Sequence, residues 1–103
     1  MIHVVAILTT KPGQRAAVLD AIRANLPAVR AEKGCIEYGP AIDAEGIGGF
    51  QTKAGADTIF VIEKWQDADA LKAHAAAPHM AAYAAKVKDL MAARVIHVLA
   101  PAA

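Results

Sequence analysis

The sequence predicts an α+β domain, and three observations carry that prediction. Residues 2–10 and 58–65 are apolar on both faces, as strands of a covered sheet are. Apolar residues from Val18 to Val29 and from Met80 to Met91 recur at spacings of three and four, as on the buried stripe of a helix. Proline, glycine and aspartate stand where these segments have to stop or start.

Residues 2–10 form the first strand, with Ile2, Val4, Ala6 and Leu8 on one face and His3, Val5 and Ile7 on the other. Lys11-Pro12-Gly13 turns the chain. A helix follows over about Gln14–Glu32, striped by Val18, Leu19, Ile22, Leu26 and Val29. Pro27 lies inside it and is expected to kink it or split off its last turn. Gly34 suits the stop. A second strand runs over about Cys35–Ile42, and Asp43–Gly49 is a glycine-rich turn. Phe50 and Gln51 are expected to add a short strand before the third main strand at 58–65. There Thr58, Phe60 and Ile62 point one way, and Ile59, Val61, Glu63 and Trp65 the other. Asp67 can cap a helix over 68–76, and Pro78 ends it while opening the next. That helix carries the stripe Met80, Tyr83, Val87, Leu90 and Met91. Residues 94–99 are the last strand. The order matches a ferredoxin-like split βαβ unit, an antiparallel sheet with helices on one face.

The 103 residues suffice for a single domain, 1–103, and no repeat or linker interrupts them. Of the 56% hydrophobic residues, 26 are alanines, which fill little volume, so the core depends on the larger side chains. A small domain with apolar faces left over often completes its core by self-association. Net charge is +1 with no basic cluster, which excludes the electrostatic footprint of a nucleic-acid binder. No apolar run is long enough to span a bilayer. The N-terminus enters its strand without a charged leader, and the single Cys35 cannot form an internal disulfide, so a cytoplasmic location is expected.

The chemistry concentrates between residues 63 and 83. Glu63-Lys64-Trp65 closes a strand, His74 rides the next helix, and Pro78-His79-Met80 opens another that carries Tyr83. Two imidazoles, an indole and a phenol can stack on an aromatic ligand and move protons near neutral pH. Each also has an ordinary reading. His74 and His79 can be surface or capping histidines, and Trp65, Tyr38 and Tyr83 can be core. Glu63 can pair with a cation across the sheet, and Phe50 can sit on a loop beside Gly48-Gly49. His3 and His97 are expected to lie near one another on neighbouring strands, without the further ligands that a metal needs.

The chain resembles the antibiotic-biosynthesis-monooxygenase family of dimeric α+β barrels, most of all its small bacterial quinol monooxygenases. The resemblance rests on Thr10-x-Pro12-Gly13, Gly34-Cys35-x-x-Tyr38-x-Pro40, Gly49-Phe50-Gln51 and the block from Glu63-x-Trp65 to Pro78-His79-Met80-x-x-Tyr83. It implies a homodimer with facing sheets, and one pocket per subunit between sheet and helices. Relatives oxygenate quinols, anthrones and similar compounds with O₂ and without metal or flavin, so no cofactor is expected. Deprotonating such a substrate gives an anion that reduces O₂ itself, which requires a base, a dry pocket and hydrogen-bond donors. On that reading His74 or His79 takes the proton, Tyr83 or Tyr38 donates to the oxygen, and Trp65 and Phe50 hold the ring beside Glu63. Two alternatives stand beside it: a dimer that binds small aromatics without turnover, and haem degradation. The haem-degrading relatives carry an asparagine on the first strand, and residues 2–10 contain none.

Overall fold

The computed structural model describes all residues, 1–103. Its elements are β1 (Ile2–Thr10), α1 (Arg15–Arg30), β2 (Cys35–Ala41), β3 (Thr58–Trp65), α2 (Ala68–Ala75), α3 (Pro78–Val87) and β4 (Met91–Leu99). A single 3-10 turn, Lys88–Leu90, joins α3 to β4. The strands form one sheet in the order β2-β3-β1-β4, every neighbouring pair antiparallel. This is the predicted split βαβ arrangement, with the two most apolar strands at its centre.

Alternation decides which face the helices cover. Val4, Ala6 and Leu8 of β1 and Ile59, Val61 and Trp65 of β3 are buried beneath α1, and Val18, Leu19, Ala21, Ile22 and Val29 meet them from above. Val5 and Ile7 of β1 and Phe60 and Ile62 of β3 point to the opposite, uncovered face and are only half-buried. β4 is an edge strand exposed along nearly its whole length. No helix is long and apolar enough to cross a membrane.

Local chemistry sets the boundaries. The Asp67 carboxylate accepts from the Ala70 N–H at 2.8 Å and so starts α2. Pro78 takes the first position of α3, where no N–H is needed. Gly34 has φ +82°, and a Cβ there would sit 2.7 Å from the Ala70 Cβ. Only glycine lets the end of α1 pass this close to α2, which brings Glu32 within reach of that helix.

Three expectations need correction. α1 runs through Pro27 to Arg30 as one helix, so no last turn splits off, and the Pro27 ring is exposed. Phe50 and Gln51 form no strand: they belong to the loop 42–57, where Asp43 accepts from the Ala54 and Gly55 N–H groups at 3.0 and 2.9 Å. These bonds hold the Asp43 carboxyl below its usual range and cinch the loop on itself. Finally, β4 begins at Met91, three residues earlier than predicted, because the 3-10 turn ends the helical stripe at Leu90.

Candidate active site

β3 puts Glu63 and Trp65 two residues apart on the helix-covered face. Trp65 is completely buried, and its indole N–H donates to Glu63 Oε1 at 2.9 Å. The expected cross-strand ion pair to Glu63 does not form. Its neighbours across the sheet are Val4 and Tyr38, while Lys64, on the other face, pairs with Glu37 at 3.2 Å. Burial pushes the Glu63 carboxyl up, against the opposing pull of the indole bond and of His74.

α2 lowers His74 onto this pair. The imidazole lies 4.6 Å from the Trp65 ring at 35°, and Tyr38 of β2 closes the group at 5.4 Å from His74 and 6.4 Å from Trp65. Burial drives the Tyr38 phenol far up, so it stays protonated. His74 is 5% exposed, and its Nδ1 stands 2.7 Å from Glu32 Oε2. A carboxylate only accepts, so the shared proton sits on Nδ1.

His79, at the start of α3, lies 6.4 Å from His74, ring to ring. Its Nε2 is 3.4 Å from the same Glu32 oxygen, within Coulomb range but off hydrogen-bond geometry. Neither nitrogen of His79 has a hydrogen-bond partner. The ring lines a groove of about 210 Å³ between α1 and α3, together with Ala21, Ala24, Asn25, Ala82, Tyr83 and Lys86. Tyr83 is half-buried, and burial pushes its phenol up while Arg94 opposes.

The structure thus brings Tyr38, Glu63, Trp65, His74 and His79 together and sets Tyr83 one helical turn from His79. It does not bring Phe50. That ring is 86% exposed on the cinched loop and lines neither the groove nor the ring cluster. Between sheet and helices, where a pocket was expected, Trp65 and His74 are buried with their rings 4.6 Å apart and tilted by 35°. Open space occurs in the α1–α3 groove and in a hollow of about 310 Å³ lined by Arg30, Cys35 and Tyr38. His3 and His97 share the uncovered sheet face but are out of register, since His97 stands opposite Val5 and His3 opposite Leu99.

The residue the sequence reading missed is Glu32, which looked like the tail of α1. Its only signal was a carboxylate two residues before a glycine stop.

Comparison with known proteins follows the same outline. The family model for antibiotic biosynthesis monooxygenases matches residues 1–86. The Escherichia coli (strain K12) protein named "Probable quinol monooxygenase YgiN" is 40% identical over 103 residues, covering 98% of each chain. Among solved structures, Pseudomonas aeruginosa PA3566 superposes with a TM-score of 0.81 at 25% identity, over 99% of this chain and 94% of that one. Mycobacterium tuberculosis Rv0793 gives 0.78 at 28% identity, over 97% and 93%. By the family match and the full-length relative, this chain belongs to the antibiotic biosynthesis monooxygenase family, and its enzyme class is that of a monooxygenase.

Proposed function

We propose that this chain inserts one oxygen atom of O₂ into a quinol or a similar hydroxylated aromatic, drawing both electrons from the substrate and using neither metal nor flavin. The observation that carries this reading is His79. A half-buried imidazole without a hydrogen bond on either nitrogen is costly unless a ligand completes it. This one lines a groove together with three alanines and the Tyr83 phenol, a mix of small apolar and hydroxyl-bearing groups that suits a planar ring bearing hydroxyl groups. The name of the E. coli relative points to the same substrate class.

In this scheme the aromatic ring lies in the groove, and a rotation of the His79 side chain turns one of its nitrogens, both shielded from solvent in this structure, toward the hydroxyl whose proton it takes. The quinolate then reduces O₂, and a carbon–oxygen bond forms on the ring. The distal oxygen leaves as water, so quinol plus O₂ gives hydroxyquinone plus water without an outside reductant. Tyr83, kept protonated by burial, donates to the developing oxyanion. His74 is the less suitable base, since its Nδ1 proton is engaged with Glu32 and its face with Trp65.

The uncovered sheet face has its own role in this proposal. Val5, Ile7, Phe60, Ile62, Val95 and Leu99 form an apolar surface that a second copy of the chain covers, giving a homodimer with facing sheets.

Oxygen uptake with a panel of reduced naphthoquinols tests the activity. The expected result is uptake above autoxidation, reduced on the order of 100-fold by His79→Ala. The fold should survive, because His79 contributes no hydrogen bond to it. Uptake equal to autoxidation, or a variant as fast as the parent, rejects the reading.

A further inference from the structure

Two histidines from different helices converge on one carboxylate oxygen. Glu32 follows α1, His74 lies on α2 and His79 opens α3, and Glu32 Oε2 is 2.7 Å from one ring and 3.4 Å from the other. The Glu32 side chain is itself only 17% exposed, and that of His74 only 7%. A carboxylate is held away from water here, although no lysine or arginine pairs with it, and that is expensive unless the charge has a use.

We propose that Glu32 is the positioning residue of this site, tying His74 and His79 into one proton-accepting unit that shares a single buried negative charge. With both imidazoles neutral the cluster carries one negative charge, and a proton arriving on either ring brings it to zero. When the substrate gives up its proton, the cluster becomes neutral and the negative charge passes to the bound quinolate, so no further net charge is created in the site. Glu32 also fixes geometry. By accepting from His74 Nδ1–H it sets that ring's tautomer and its angle against Trp65. The Nε2 of His79 has only a small adjustment to make before it reaches the same oxygen. Gly34 underlies this arrangement, because its missing Cβ admits α2 close to the end of α1. The role rests on the proposed proton abstraction for its chemical purpose, but the link between carboxylate and rings can be tested without any substrate.

The experiment uses two variants of the full chain. Glu32→Gln keeps the shape and an acceptor oxygen but loses the charge, whereas Glu32→Ala loses both. Long-range proton–nitrogen spectra of the histidine rings report which nitrogen carries the proton. The parent and Glu32→Gln should hold the His74 proton on Nδ1, and Glu32→Ala should release it to the Nε2 tautomer. With a naphthoquinol, Glu32→Gln should lower kcat on the order of 100-fold while KM moves less than about threefold, since the lost charge acts on proton transfer and not on ring binding. An Nδ1 proton retained in Glu32→Ala overturns the proposal, as does Glu32→Gln turnover within about threefold of the parent. If no chain oxidises any quinol but the tautomer still switches in Glu32→Ala, the substrate assignment falls and the Glu32 link stands. If Glu32→Ala does not fold, the kinetics of Glu32→Gln decide.

Discussion

The two faces of one sheet differ in what finishes them. On the helix-covered face, Val4, Leu8, Ile59, Val61 and Trp65 are at most 6% exposed. That face also holds the buried polar groups Glu63 and His74, each with a partner inside the chain. On the other face the same strands are just as apolar, yet Val5, Ile7, Phe60 and Ile62 remain only half-buried. Alternation along a strand builds both surfaces, but this chain supplies helices for only one. Chemistry needs groups held rigidly out of water, so the candidate site belongs on the finished side. The unfinished side has the character of an association surface.

The largest effect should come from the finished side. Trp65→Ala removes a fully buried ring on which His74 and Tyr38 rest, and its cost should be about 3–5 kcal/mol, read from urea unfolding. A cost below about 1 kcal/mol would mean that the ring cluster is loosely packed and that the comparison is wrong at its root. The next effect belongs to the other face. Val95 stands opposite Ile7 in the uncovered surface. Val95→Asp should weaken self-association on the order of 100-fold while leaving the monomer folded, because a charge is tolerated in water and not between two sheets. Light scattering against concentration reads this directly. A parent that is monomeric at every concentration removes the dimer from the proposal.

How much of this the sequence revealed depends on the range of each interaction. β1, β3 and the stripe of α1 were legible because their signal is local: the period of apolar residues states both element and face. Asp67 and Pro78 marked α2 and α3 for the same reason. The errors have other causes. Phe50 and Gln51 read as a short strand, but Asp43 draws the loop shut on itself by accepting from Ala54 and Gly55. Glu63 was expected to meet a cation, and register set Val4 and Tyr38 beside it. The pairing of Glu32 with His74 spans 42 residues and depends on how closely α1 passes α2. No periodicity encodes that approach. Gly34 permits it, but a glycine after a helix reads only as a stop.

The smallest expected effect concerns Glu63, and it sharpens the account of the finished face. Glu63 is 6% exposed, and burial outweighs the indole bond in raising its carboxyl above the ordinary 4.5. Folding therefore favours the protonated form. The stability tied to that preference is fully present below the range where glutamates of the unfolded chain titrate, and it is lost as pH rises through the raised folded value. Glu63→Gln keeps an oxygen to accept from Trp65 Nε1 and never ionises. The variant should therefore melt above the parent at neutral pH, by on the order of a few degrees, and the gap should close on acidification toward pH 4.5. Melting curves at several pH values measure it. A gap that stays constant with pH would show that the gain comes from packing and not from charge. A variant that melts below the parent at neutral pH would mean that the ionised carboxylate strengthens the core through Trp65 and His74. Glu63 would then join Glu32 as a second charge that the site is built to hold.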